Sequence, residues 1–318
     1  MIELSNEQRR QIIDLSHVFS AWRGARKDSQ GHYRWVTKRG NAYLMRKYGG
    51  NERSLGRKSP ETEAIMDRHQ RARLTYRQSN ARLEKMARVN RALRLNRVPL
   101  PGAKVLRALD DAALLGDGLF VIGTNAMYGY EMKAGVLFES DIIATTDFDL
   151  LWGARDSLRL AAMKASPEGI LGILKSVDPT FSSSDDYGTR AQNADGYYVD
   201  LFCPESDPPL NRMAPSDIDP IATEGAEWLV AAPKIDEMVI GEDGLPARMV
   251  CVDPRIFALH KAWLSKQPGR QAKSRPRDDR QAKAVAEVAR DYLGLKLDQR
   301  VLKHLPEELA ACAPDILR

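Results

Sequence analysis

Apolar residues at helical spacing open the chain, and residues 5–23 read as a helix that closes near Trp22. The texture then changes to a period of two. In HYRWVTKRGNAYLMRKY (32–48) the aromatics Tyr33, Trp35, Tyr43 and Tyr48 alternate with Arg34, Lys38, Arg39, Arg46 and Lys47. Such alternation predicts short strands, joined as a hairpin at Arg39-Gly40-Asn41. Ser59-Pro60 is a helix-start signal, with serine as N-cap and proline at the first helical position. The helix it opens is predicted to run from 60 to about 97, where Pro99 and Pro101 stop it. Its arginines (Arg68, Arg71, Arg73, Arg77, Arg82, Arg88, Arg91, Arg94 and Arg97) fall on too many faces for one amphipathic stripe, which predicts a long, partly solvated connector.

From residue 102 the pattern becomes that of a packed domain. KVLRALDDAALLG (104–116) has helical spacing, and LFVIGTNAM (119–127) reads as a buried strand ending in a Gly-Thr turn. IIATTDFDLLW (142–152) reads as the next strand, followed by a helix around 155–175 and two strands at 177–185 and 196–204. Residues 226–252 carry mixed strand signals, including EWLVA and ARMVCVD. The remainder is helical: 254–266, 277–294 and a short terminal element.

Charge divides this string unevenly. Residues 1–100 hold 23 Lys and Arg against 9 Asp and Glu, while the whole chain is only +5. A basic first third suits a phosphate-rich partner. A solvated arginine-rich helix face reads equally well from sequence. The 43% hydrophobic and 29% charged composition is that of a globular protein, and no stretch approaches the ~18 apolar residues of a membrane span. The first ten residues lack a signal-peptide pattern, and Cys203, Cys251 and Cys312 make no disulfide framework or metal spacing. A cytoplasmic setting is expected.

Within TDFDLLW, Asp147 and Asp149 share one strand face while Phe148, Leu150 and Trp152 point into a core. Two adjacent carboxylates repel, so at least one should be hard to ionise unless a cation neutralises both. Mg²⁺ accepts a few carboxylates and leaves positions open for phosphate oxygens. Gly123-Thr124, at the end of the preceding strand, allows close backbone approach and offers a hydroxyl. Asp200, in YYVDLF, adds a third carboxylate, giving a two-metal phosphoryl-transfer layout. A glycosyltransferase holding a nucleotide-sugar metal through Asp147-x-Asp149 is the alternative enzyme. A non-catalytic nucleic-acid-binding protein on the same fold is the alternative without chemistry.

IGTNA, TDFDLL and YYVDLF together resemble the polymerase-β-like nucleotidyltransferase superfamily over roughly residues 100–205. NAYLMRK (41–47) and SLGRKSPETE (54–63) resemble a little-characterised bacterial branch of it, and ALHKAWLSK with RPRDDRQAKA resembles the paired helices of abortive-infection and toxin nucleotidyltransferases. The resemblance implies an enzyme that moves a nucleotide from an NTP such as ATP to an acceptor hydroxyl. Asp147, Asp149 and Asp200 become catalytic metal ligands, with Asp200 as base, while Gly123, Thr124 and Lys261 hold the triphosphate. Two departures stand out. The segment YGYEMKAGVLFESDII lengthens the gap between Gly123 and Asp147, and Arg277-Asp278 replaces a Lys-Asp pair. His260 is expected to be packed, Cys203 to be buried filler, and Glu61 and Glu63 to be first-turn acids favoured by the helix dipole. The aromatics of 33–48 are read as a small core, with base stacking as the sharper alternative.

The expected fold is α+β: a basic N-terminal region with a long helix (1–100), a nucleotidyltransferase core with a mixed sheet and flanking helices (101–252), and a helical C-terminal region (253–318). RNA, particularly a tRNA end, is the expected acceptor, with a toxin-like or defence role by analogy.

Overall fold

The computed structural model of the protein describes residues 1–116, 118–153, 166, 168–184, 188–205 and 217–316. The chain forms two compact units. One comprises Asn6–Leu95 with Gly244–Pro246, and the other takes the remaining described residues.

The smaller unit begins with helix Asn6–Ser29, longer than the predicted 5–23. Strands β2 (His32–Lys38), β3 (Asn41–Tyr48) and β4 (Asn51–Arg57) follow as an antiparallel sheet. The first turn falls at Arg39-Gly40, both at positive φ (48° and 77°), which is the twist a two-residue hairpin favours. The third strand, NERSLGR, carries no apolar alternation and was not predicted. Helix Pro60–Ala92 starts as the sequence signals: Ser59 Oγ accepts from the Thr62 amide and Thr62 Oγ1 accepts from the Ser59 amide, a reciprocal cap. Glu61 and Glu63 occupy its first turn. It ends at Ala92, short of 97, and it is not a connector. It packs along helix Asn6–Ser29; Leu83 and Ala87 are buried on the one helix and Leu15, Val18 and Phe19 on the other. Trp22 stacks on Tyr76 at 5.5 Å and Tyr33 on His69 at 3.9 Å, so part of the aromatic set is structural.

The larger unit is built on a mixed sheet with strand order β12-β13-β5-β7-β10-β9-β8, with β11 also pairing β10. Its strands are β5 (Leu119–Val121), β7 (Asp147–Trp152), β8 (Ser182–Ser183), β9 (Arg190–Gln192), β10 (Tyr198–Pro204), β11 (Ile221–Thr223), β12 (Lys234–Ile240) and β13 (Pro246–Val252). β5 runs antiparallel to β7, and β7 parallel to β10. Away from this sheet, β1 (Ile2–Glu3) pairs β6 (Val136–Leu137). This is the expected α+β architecture, a mixed sheet with flanking helices.

Local readings change in several places. Ile142 and Ile143 belong to helix Ser140–Ile143, so the strand predicted over 142–152 begins only at Asp147. The segment read as an insertion is structural, because helix Ala126–Ala134, β6 and helix Ser140–Ile143 fill it and Tyr130 is fully buried. EWLVA is helical (Ala226–Ala231), since a short apolar run suits a buried helix as well as a strand. Of the strand expected at 177–185, only Ser182–Ser183 pairs among the described residues. The helix placed around 155–175 is described only as Gly169–Val177, and most of its first half lies outside the described residues. Helix Pro254–Lys266 matches its prediction. Helix Arg275–Glu287 begins two residues early and passes into a π-helical turn at Val288–Tyr292.

Candidate active site

Alternation along β7 buries Phe148, Leu150 and Trp152, and leaves Asp147 and Asp149 together on the other face. β10 lies beside β7 in parallel register, pairing Asp200 with Asp149. Three carboxylates 53 residues apart in sequence at the extremes thereby converge, with one ligand oxygen from each lying within 4.8 Å of the others. On the other side of β7, the amide of Ile122 donates to the Asp149 carbonyl at 3.0 Å, and Asn125 Nδ2 donates to the Asp147 carbonyl at 2.7 Å. These two bonds hold the Gly123-Thr124 turn against the acidic strand.

Gly123 has no substitute here. Its φ is +59°, and a Cβ would collide with the Asp149 carboxylate. Thr124 is buried, and its Oγ1 accepts from Arg277 Nη2 and Gln281 Nε2, each at 3.1 Å. A hydroxyl has two lone pairs and one hydrogen, so with both lone pairs engaged Thr124 is left as a donor. Asn125 and Thr124 also open helix Ala126–Ala134, whose positive end lies at this turn.

The carboxylates are compensated unequally. Asp200 is buried, and Arg190 on β9 grips it through Nε and Nη2, each at 2.6 Å from one oxygen. The same guanidinium lies 4.8 Å over the Tyr198 ring. Asp147 accepts from the Thr145 hydroxyl. Among the described residues Asp149 has neither kind of partner, and its pKa is pushed up to about 7, first by burial and next by Asp147 beside it. Lys261 and Arg270 oppose that rise without cancelling it. The expectation that one member of the pair resists ionisation holds, although burial contributes more than repulsion.

Helices Pro254–Lys266 and Arg275–Glu287 close a cleft of about 380 Å³ over this acidic face. Gly123, Thr124, the three aspartates and Lys261 all line it. Lys261 is buried rather than solvated, and its Nζ sits 2.8 Å from Asp278. Arg270 holds the same carboxylate at 2.7 Å. Burial alone would raise the Asp278 pKa, but Lys261 and Arg270 outweigh it and hold it below the usual carboxylate range. His260 is packed, as expected, against Trp228 and Trp263, and burial depresses its pKa to about 3. Cys203 is fully buried.

Four residues of this cleft escaped the sequence reading: Arg190, Arg270, Asp278 as a tether for Lys261, and Gln281. Arg277-Asp278 had drawn notice only as a departure from the Lys-Asp pattern. The available signal was the spacing Asp278-x-x-Gln281, which sets the two on one helix face; the structure buries Gln281 fully, with its amide on Thr124.

Among the described residues no helix is long and apolar enough to cross a membrane. Comparisons with curated proteins and with solved structures each give no match. The sequence profile described as "Nucleotidyltransferase" does match, over residues 101–306, which takes in the whole acidic cleft and the two helices that close it. The chain therefore belongs to the nucleotidyltransferase family and is a transferase enzyme.

Proposed function

We propose that the protein is an Mg²⁺-dependent enzyme that transfers NMP from an NTP such as ATP to an acceptor hydroxyl, with RNA, in particular a tRNA end, as acceptor. The observation that carries this reading is the convergence of Asp147, Asp149 and Asp200 within 4.8 Å beside the Gly123-Thr124 turn. A divalent cation fits these residues, because Asp149 is held at about pKa 7 by burial and by Asp147, while hard oxygen donors on two adjacent strands are the chemistry Mg²⁺ takes. Two such ions, when bound, would supply charge neutralisation on the triphosphate and acidification of the attacking hydroxyl.

The chain's own groups do the rest. In the reaction, the acceptor oxygen bonds to the α-phosphorus, the bond from that phosphorus to the bridging oxygen breaks, and pyrophosphate leaves. The hydroxyl proton passes to the carboxylate of Asp200 and thence to water. Each Asp200 oxygen accepts one bond from Arg190 and keeps a second lone pair that can take the proton. The Thr124 hydroxyl, with its lone pairs committed, donates to a phosphate oxygen. Lys261, Arg270 and Arg277 form a cationic wall for the outgoing pyrophosphate.

The net charge of the smaller unit, 22 Lys and Arg against 8 Asp and Glu over residues 6–95, supports a nucleic-acid acceptor. The resemblance of the closing helices to abortive-infection and toxin enzymes supports a toxin-like or defence role. Three free cysteines fit a reducing cytoplasm. Family membership favours this reading over the glycosyltransferase alternative.

The test is incubation with each α-phosphate-radiolabelled NTP, Mg²⁺ and total RNA. RNA should be labelled, and Asp147→Asn and Asp149→Asn should each abolish labelling. Wild-type labelling by both variants would remove the metal-site reading, whereas labelled protein or small molecule in place of RNA would reassign the acceptor.

A further inference from the structure

Helix Pro60–Ala92 carries a strongly basic face on its solvent side. Between residues 68 and 92 it holds eight Lys and Arg against one acid, Glu84, and Glu84 accepts from Asn80 at 2.8 Å. Arg68, Arg71, Arg73, Arg77, Arg82, Lys85 and Arg88 are exposed and have no carboxylate partner among the described residues.

Their distribution follows from the helical turn of about 100° per residue. The buried positions His69, Ser79, Leu83, Ala87 and Asn90 fall within an arc of about 80°. Arg71, Arg77, Arg82, Lys85 and Arg88 occupy the opposite side. Within that set Arg82, Lys85 and Arg88 recur at every third residue. Each step rises one turn less a little, so the three form a continuous ladder that winds diagonally across about 120° of the helix surface. Neighbours three apart stand face to face, and like charges so placed oppose helix formation. Three in succession concentrate positive potential, and none of them has a carboxylate partner among the described residues.

The hairpin bases offer less. Arg34 is paired with Glu52 at 2.9 Å, and Arg46 is laid over Tyr33 and Tyr48. Lys38, Arg39 and Lys47 of the hairpin are exposed as well, so the helix contributes the longer row of unpaired bases rather than all of them.

Two exposed apolar side chains lie among these bases on the same arc, Leu74 at 57% exposure and Val89 at 44%. We propose that this face binds single-stranded RNA, with the ladder Arg82-Lys85-Arg88 following its phosphates and Leu74 and Val89 meeting unstacked bases. A rigid duplex touches a convex cylinder along one line and keeps its bases inside, and its deep major groove does not admit side chains. A flexible strand can follow a winding ladder and turn base faces to apolar groups. The assignment rests on the RNA-acceptor reading but concerns docking alone.

The experiment measures binding of the full chain, without NTP, to a fluorescent RNA oligonucleotide across a salt series, single-stranded or annealed to its complement. Wild type is compared with Arg82→Gln/Lys85→Gln/Arg88→Gln, whose glutamines preserve helix propensity and whose helicity is checked by circular dichroism. At about 0.7 per phosphate contact on a single strand, the variant's log–log salt slope should fall by about 2, and its affinity at low salt by about tenfold or more. Leu74→Ser/Val89→Ser should weaken binding of the single strand and leave duplex binding unchanged. An unaltered slope in the folded triple variant, or duplex binding as tight as that of the single strand, overturns the proposal. Because no chemistry is needed, these outcomes are separate from nucleotide transfer. RNA that is still labelled by an enzyme with an unaltered slope would keep the acceptor and reject this face, whereas tight ladder-dependent binding without labelling would do the reverse.

Discussion

Asp149 is a carboxylate placed where ionisation is costly. Burial and the neighbouring Asp147 raise its pKa from 3.8 to about 7, and Lys261 and Arg270 only moderate the rise. The sign of the resulting pH dependence follows by linkage. The folded state holds this proton to a higher pH than the unfolded chain does, so in metal-free protein the group's contribution to stability is complete below about pH 3.8 and is lost as pH rises through about 7. Asp149→Asn carries no such proton. The difference in melting temperature between the variant and wild type, measured in chelator, should therefore move in the variant's favour from pH 4 to pH 7. A difference that stays flat over that range would mean Asp149 ionises normally. Arg190 illustrates the other way of tolerating a buried acid: it supplies Asp200 with two charge-assisted bonds that sequence inspection does not reveal.

At the scale of elements, the cap of helix Pro60–Ala92 is local chemistry visible in four residues. Ser59 and Thr62 satisfy each other's amides, and Pro60 fixes the first helical φ. Ser59→Ala should lower stability by about 1 kcal/mol, read from denaturant melts, with no change in nucleotide transfer because the cleft lies in the other unit. Loss of transfer at full folding would show a dependence of the cleft on this helix start. Helix Pro254–Lys266 shows the limit of local rules. Its boundaries are set by Asp253 capping and Pro254, yet the burial of Lys261 depends on Asp278 and Arg270 from farther along the chain.

For the whole molecule, the division into two units separates chemistry from charge. All three aspartates, the Gly-Thr turn and the cationic wall belong to one unit, and the strongly basic residues 6–95 to the other. A ligand that binds only the native state stabilises it by mass action, about 2.7 kcal/mol at a hundredfold excess over Kd. Calorimetry of the full chain with saturating Mg²⁺ and NTP should therefore raise the melting of the unit holding the aspartates, and Asp147→Asn should remove the increase. A melt that saturating Mg²⁺ and NTP leave in place would count against nucleotide binding in this cleft.

What the sequence determined by itself is whatever depends on near neighbours. The alternation in TDFDLLW sets two carboxylates on one face, the Ser59-Pro60 start and the Arg39-Gly40 turn follow from backbone preferences, and the charge of the first hundred residues needs only counting. Each is a property of side-chain period, capping or composition. What only the tertiary structure decided involves partners distant in the chain. Parallel register sets Asp200 beside Asp149, an antiparallel strand delivers Arg190 to Asp200, and packing turns EWLVA and the segment after Gly123 into helices despite their strand-like or insertion-like texture. Lys261 could be read as either surface or site, because burial and ion pairing are relations among elements rather than attributes of a residue. The reason is physical: period and propensity act over a few residues, whereas hydrogen-bond partners and desolvation are fixed only when the sheet and its covering helices have packed.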